Sequence, residues 1–259
     1  MRIVVLTKPV PDPASGAERL GPDGRLDRAA SPAVVNGNDE YVLEKALKLV
    51  AEAGEGEVIL LSMAPASAPE TMRKALAMGA ASGTLVTDPA LEGSDTVTTT
   101  RVLAAALRGI EYDLVFAGAD TSDGGAGVVP AGVAALLGLP YLSYAAKIEP
   151  QKETETVRVN RISPTGYDVL EAPMPALVVC TQALGEPRYP SLKGIMAARS
   201  KELTTSALSD VEGADAGAAR TAVLGSEAPP PRAATRVIRE PAEAAAAEVV
   251  AFLAERRII

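Results

Sequence analysis

Asp113-Leu114-Val115-Phe116-Ala117-Gly118-Ala119-Asp120-Thr121-Ser122-Asp123-Gly124-Gly125-Ala126-Gly127-Val128-Val129-Pro130 passes from an apolar run to a glycine-rich polar loop and back to apolar residues. The first part, Asp113 to Ala117, has the composition of a strand buried on both faces. The last part opens a helix that runs to about Leu137. The loop between them therefore lies at the carboxyl end of a strand. In an open α/β sheet that is where ligands bind.

The same alternation recurs upstream. Ile3 to Thr7, Glu57 to Met63 and Thr84 to Thr87 read as strands. Asp39 to Ala53 reads as a helix, with Leu43, Ala46, Leu47 and Val50 on one face, Asn38 as cap and Gly54 just past its end. Ser67-Ala68-Pro69-Glu70 has capping-box spacing and opens a helix ending at Gly79, and Asp95 to Leu107 forms a third. Four strand–helix units in succession predict a parallel sheet with right-handed crossovers. After Pro140 the pattern changes. Ala145–Ile148, Thr156–Ile162 and Tyr167–Leu170 read as an antiparallel meander, and Ala176–Thr181 returns to the buried type. From Thr205 to about Thr235 the chain is rich in Ala, Gly, Ser and Pro, before a closing helix over Glu243–Glu255. The expected fold is α/β: a doubly wound, mostly parallel sheet with an added antiparallel β-meander and an extended C-terminal arm. Residues 1–204 form the α/β domain and 205–259 the arm.

Composition excludes several chemistries. The 259 residues contain no histidine and one cysteine, Cys180. Ser-His-Asp triads, His-bearing zinc sites, internal disulfides and Cys-ligated clusters are ruled out. A net charge of −8 argues against tracking nucleic-acid phosphates. No apolar run reaches about 18 residues, so no membrane span is expected, and Met1–Leu6 reads as a strand, not a secretory signal. The lone cysteine fits a reducing, cytoplasmic setting.

Three segments are candidates for function. The Gly118–Gly127 loop reads either as a phosphate cradle, built from backbone N–H groups and the following helix start, or as a plain βα turn. Its spacing matches neither G-x-G-x-x-G nor GxxxxGK[ST]. Asp95-Thr96, opening the third helix, reads as an N-cap or as a second phosphate site. Asn36-Gly37-Asn38-Asp39 holds more polar groups than capping needs. Glu186 to Met196 places Tyr189, Leu192, Ile195 and Met196 among turn residues, packed on their own domain or offered to a partner. Asp120 with Asp123, or Glu40 with Glu44, are read as solvated carboxylates rather than acid–base or metal pairs. No catalytic or metal-binding residue is assigned.

IVVLTKPVPDP (3–13), ETMRKALAMGA (70–80), DLVFAG (113–118), SDGGAGVVPA (122–131), LGLPYLSY (137–144) and EPRYPSLKGIMAA (186–198) occur in this order. On these motifs the chain resembles the beta subunit of electron transfer flavoprotein over essentially its full length. The resemblance implies an electron carrier that pairs with an alpha subunit holding the redox FAD, and that serves dehydrogenases such as those of fatty acid beta-oxidation. It implies an adenine nucleotide in this subunit, AMP or a second FAD. That nucleotide would lie on Leu6, Asn36, Gly37, Asn38, Asp39 and Met63, and along Gly118, Ala119, Asp120, Thr121, Ser122, Asp123, Gly124, Gly125, Ala126, Gly127, Val128 and Val129. It also implies that the loop around Leu192 docks on flavin dehydrogenases. Two departures stand out. Pro13 and Asn38 occupy positions where some members place aromatics near the flavin. Gly93-Ser94-Asp95-Thr96 looks more like members whose beta subunit holds a second FAD and splits electron pairs. Ala197, Ala198 and Ser200 stand where some relatives carry lysines. Apart from the resemblance, a nucleotide-using hydrolase or transferase acting through Asp120, Asp123 or Lys8, or a nucleotide-sensing module, would suit the same sheet.

Overall fold

The computed structural model describes residues 1–217, 219–227, 230, 235 and 237–259. It divides into two compact units, Met1–Leu224 and Gly225–Ile259. In the first unit the chain forms β1 (Arg2–Leu6), β2 (Pro9–Pro11), β3 (Ala33–Val35), α1 (Gly37–Ala53), β4 (Glu57–Met63), α2 (Pro69–Met78), β5 (Ser82–Val86), α3 (Thr96–Arg108), β6 (Leu114–Gly118) and α4 (Val129–Leu137). There follow β7 (Tyr141–Gln151), β8 (Thr156–Ser163), β9 (Gly166–Pro173), β10 (Ala176–Cys180), α5 (Leu192–Ala198) and β11 (Leu203–Ser206). The second unit contains α6 (Ala242–Glu255).

One nine-stranded sheet carries the fold, in the order β11-β5-β4-β1-β6-β10-β7-β8-β9. Strands from β11 to β7 pair in parallel, and β7-β8-β9 is the expected antiparallel meander. Alternation along β1 shows why both faces must be covered. Ile3 and Val5 point into a core completed by Val42, Leu43 and Ala46 of α1 and Met72 and Leu76 of α2. Val4 and Leu6 point the other way, onto Val102 and Leu107 of α3 and Val133 of α4. The sheet is thus doubly wound, and strand order reverses between the adjacent strands β1 and β6. That switch point opens a crevice at the carboxyl ends of the two strands.

Several local expectations are corrected. Helix α1 begins two residues early, and Asn36 at its N-cap makes no side-chain capping bond, because its amide is used elsewhere. Ala68, not Ser67, precedes α2, with Pro69 at the first turn in place of a capping box. The region past residue 204 is not all arm. Strand β11 pairs with β5 across that boundary, and Leu208, Val211 and Ala216 pack on the α3–α4 side of the core. Pro229 and Pro231 of the proline run lie outside the described residues. Among the described residues no helix is long and apolar enough to cross a membrane.

Candidate functional site

The crevice is built from strand ends. Leu6, Met63 and Gly118 are the last residues of β1, β4 and β6. The ends of β1 and β6 meet the start of α1: Lys8, just past β1, donates its N–H to Asp39, and Gly118 abuts Asn38 and Asp39. Gly118 is required here by close approach. An added Cβ would stand 2.7 Å from Asp39 Oδ1 and 2.9 Å from Asn38 Cβ.

Two asparagines fasten the loop to α1. Asn36 Nδ2 donates to the Asp120 carbonyl at 2.9 Å and to Asp39 Oδ1 at 2.9 Å, while Asn36 Oδ1 accepts from the Ser122 N–H at 3.2 Å. Asn38 Nδ2 donates to Asp120 Oδ1 at 2.7 Å. Asn36-Gly37-Asn38-Asp39 is thus a clamp rather than a cap, which accounts for its surplus of polar groups. Asp39 also accepts from the Lys8 N–H at 2.8 Å. Burial pushes its carboxyl up to about 7, against the opposing bonds from Asn36 and Lys8.

Asp123 is not the solvated carboxylate expected from the sequence. Its side chain is fully enclosed and takes Lys8 Nζ at 2.8 Å on one oxygen and Arg28 Nε at 2.7 Å on the other. Burial alone would raise its carboxyl; the two cations outweigh that and hold it below the usual range. Its charge is therefore balanced and turned away from the loop's outer surface. Thr121, through its carbonyl, accepts from the N–H groups of Gly124 and Gly125. Gly125 and Gly127 have φ of +56° and +62°, which a glycine adopts without strain. Gly124, Gly125, Ala126, Gly127 and Val128 are exposed, immediately ahead of the first turn of α4 at Val129. The first N–H groups of a helix have no partner within it. An exposed glycine backbone, a helix start and a neutralised acid together fit a phosphate.

Asp95 and Thr96 stand apart from this network. Asp95 caps α3 by accepting from the Thr98 N–H at 2.8 Å, and also accepts from the N–H groups of Arg220 and Thr221. The Thr98 and Arg220 bonds lower its carboxyl to about 2. The capping reading of Asp95 therefore describes its observed bonds. Pro13 opens an exposed 3-10 turn, and Asn38 is committed to Asp120 and Gln182.

Tyr189, Leu192, Ile195 and Met196 form an exposed apolar row, with Leu192 81 % exposed. Most of the row lies on the short helix α5, a helix the sequence reading took for turn residues. Glu44 is a second correction. It is buried and bonded by Arg188 and Lys48. Lys8, Arg28, Gln182 and Arg188 carry these networks, yet the sequence offers no local signal for Arg28, Gln182 or Arg188. Lys8 alone is marked, by its place directly after a strand.

The family model described as the electron transfer flavoprotein domain matches residues 23–211. The chain is 38 % identical to the electron transfer flavoprotein subunit beta of Mycobacterium tuberculosis (strain ATCC 25618 / H37Rv), over 99 % of both chains. It is 35 % identical to that of Clostridium acetobutylicum over the whole of both chains. It is 34 % identical to the caffeyl-CoA reductase-Etf complex subunit CarD of Acetobacterium woodii, again over the whole of both. With its sheet, its loop and its full-length likeness to these subunits, the chain belongs to the electron transfer flavoprotein family, among the beta subunits.

Proposed function

We propose that this chain is the beta half of a heterodimer whose alpha subunit carries FAD, and that it holds an adenine nucleotide on the Gly118–Val129 loop. The observation that carries the reading is the loop itself: exposed glycine backbone at the switch point, clamped by Asn36 and Asn38, with the Asp123 charge neutralised by Lys8 and Arg28. The backbone N–H groups of Ala126 to Val129 would take the phosphate, aided by the α4 dipole, while those of Gly124 and Gly125 hold the loop's turn on the Thr121 carbonyl. Leu6, Met63 and the clamp residues Asn36, Gly37, Asn38 and Asp39 would enclose the nucleoside. Asp120, Thr121 and Ser122 would shape the near wall. FAD supplies the electron storage; the side chains here bind and orient, and none is placed to move a proton. That division of labour suits a chain without histidine.

The nucleotide is AMP in this reading, with a second FAD as the competing arm. A diphosphate reaching the start of α3 would have to displace Arg220 and Thr221 from Asp95, which favours AMP. Hydrolase chemistry is disfavoured, because an Asp123 carboxylate held by two cations is a poor base. The exposed row around Leu192 is read as the docking surface for a flavin dehydrogenase of the acyl-CoA class. The relative from Acetobacterium woodii carries a caffeyl-CoA reductase in its name. We place the working heterodimer in the cytoplasm. The test is to co-purify the chain with its alpha subunit, denature it and identify released nucleotides by mass. One AMP and one FAD per heterodimer support the reading. Two FAD support the bifurcating arm. Turnover of ATP, or no nucleotide, refutes it.

A further inference from the structure

Helix α1 carries a row of polar side chains that the nucleotide reading leaves largely unused. Asn38, Tyr41, Glu44 and Lys48 recur three and four residues apart, so they share one face. The segment 182–188 runs along that row. Gln182 Nε2 donates to Asn38 Oδ1 at 3.1 Å, and the Tyr41 hydroxyl donates to Glu186 Oε2 at 3.2 Å. Arg188 donates to Glu44 three times: from its backbone N–H at 3.2 Å, from Nε at 2.6 Å and from a terminal guanidinium nitrogen at 3.2 Å. Lys48 adds a fourth contact at 3.3 Å. The Glu44 side chain is 4 % exposed. A carboxylate so enclosed is tolerated only with such partners.

Arg188 lies four residues before Leu192, so the pair fixes the entry to α5. The exit is fixed separately. Arg73 donates to the Ala198 carbonyl, and Lys201 Nζ donates to the carbonyls of Leu76 and Ala80 at the end of α2. A seven-residue helix has no stability of its own in water. These two ends add to the packing of α5 on α2, where Gly194 lies close against the Ala77 carbonyl and Ala198 is buried, and they leave Leu192 and Met196 exposed.

We propose that Glu44 and Arg188 are positioning residues for partner docking: their buried pair holds α5 in the pose that offers Leu192 to a dehydrogenase. The proposal rests on the docking reading above. A surface held ready loses less freedom on binding, so the pair acts on partner affinity and leaves electron transfer within the complex alone.

Glu44→Gln, Arg188→Gln and Arg188→Lys are made in the full chain, purified with its alpha subunit, and titrated with an acyl-CoA dehydrogenase as electron donor. Leu192→Ala runs beside them. The KM for the dehydrogenase rises roughly 10-fold in both Gln variants. kcat and flavin content stay within twofold, and hydrogen exchange quickens at residues 186–199 alone. Arg188→Lys, which keeps the charge, recovers part of the loss. Glu44→Gln removes the buried charge and leaves the half-exposed Arg188 to solvent, so it keeps the test alive should Arg188→Gln, which strands the Glu44 carboxylate, not fold. If Leu192→Ala raises KM while the pair variants do not, the positioning role is overturned and the docking surface stands. If Leu192→Ala leaves KM unchanged, the docking reading falls and this proposal with it. A lower melting midpoint with unchanged KM marks a purely structural pair and also overturns it.

Discussion

Gly118→Ala probes the junction on which the proposed nucleotide site is built. The new methyl would sit 2.7 Å from Asp39 Oδ1 and 2.9 Å from Asn38 Cβ, where ordinary contact begins at 3.4 Å. The start of α1 must therefore retreat by about 0.5–0.7 Å. Neither neighbour can swing aside. Asp39 is buried and held by Asn36 and Lys8, and a Cβ moves only with its backbone. Overpacking of this kind costs about 1–3 kcal/mol. For a domain of this size that lowers the melting midpoint by roughly 4–8 °C at the middle of the range. The retreat also pulls Asn36 and Asn38 from Asp120 and Ser122, so AMP affinity should fall roughly 10-fold. Gly37→Ala, at the first residue of α1 and next to Asn38, is the control for stability alone. A Cβ there meets nothing within 4 Å, and the change should be neutral or stabilise by up to about 1 kcal/mol. Thermal melts and AMP calorimetry on the heterodimer read both effects. A Gly118→Ala protein melting within about 1 °C of the parent would refute the packing argument.

Leu192→Ala should leave the melting midpoint nearly unchanged, since the side chain is 81 % exposed, while weakening dehydrogenase affinity by roughly 30-fold; a large loss of stability with unaltered partner kinetics contradicts the anchor role. The Asp39 carboxyl is raised in the folded state from 3.8 to about 7, so its contribution is complete below the lower value and is lost as pH climbs through the upper one. Asp39→Asn should therefore flatten the fall of the melting midpoint with rising pH across that window, and parallel curves for parent and variant would count against a shifted Asp39. Removing residues 225–259 should leave the first unit folded but abolish pairing with the alpha subunit, because Val249, Val250 and Phe252 on α6 remain substantially exposed; gel filtration showing an intact heterodimer would reject that.

The periodic parts of this fold were legible in the sequence. Ile3–Leu6, Val58–Leu61 and Leu114–Gly118 are continuous apolar runs, and strands covered on both faces have to look like that. The loop after β6 announced itself by glycine, and its place at a strand end followed from the alternation. What stayed hidden was long-range. Strand β11 is a four-residue, half-polar segment that becomes a strand only because the β5 edge is there to pair with. Asp123 and Glu44 looked like surface acids because their cations lie far along the chain. Arg28 precedes Asp123 by 95 residues, and Arg188 follows Glu44 by 144. Local spacing carries no trace of such pairs. Asn38 was read as the cap of α1, whereas the helix starts directly after Asn36, whose amide is recruited by a loop 84 residues on.

Cys180 ends β10, in register with Gly118 on one side and Ala145 on the other, and is 2 % exposed. Burial pushes its thiol far above the ordinary range, so almost no thiolate is available to react. This removes a sulfur that stray oxidant could consume. It also turns the only thiol of the chain into a clock. A maleimide can reach it only when the sheet opens beside the floor of the crevice, so the labelling rate measures how often that opening occurs. Comparing the rate with and without bound nucleotide would weigh how far the ligand clamps the strands beneath it, with no probe introduced and no residue changed.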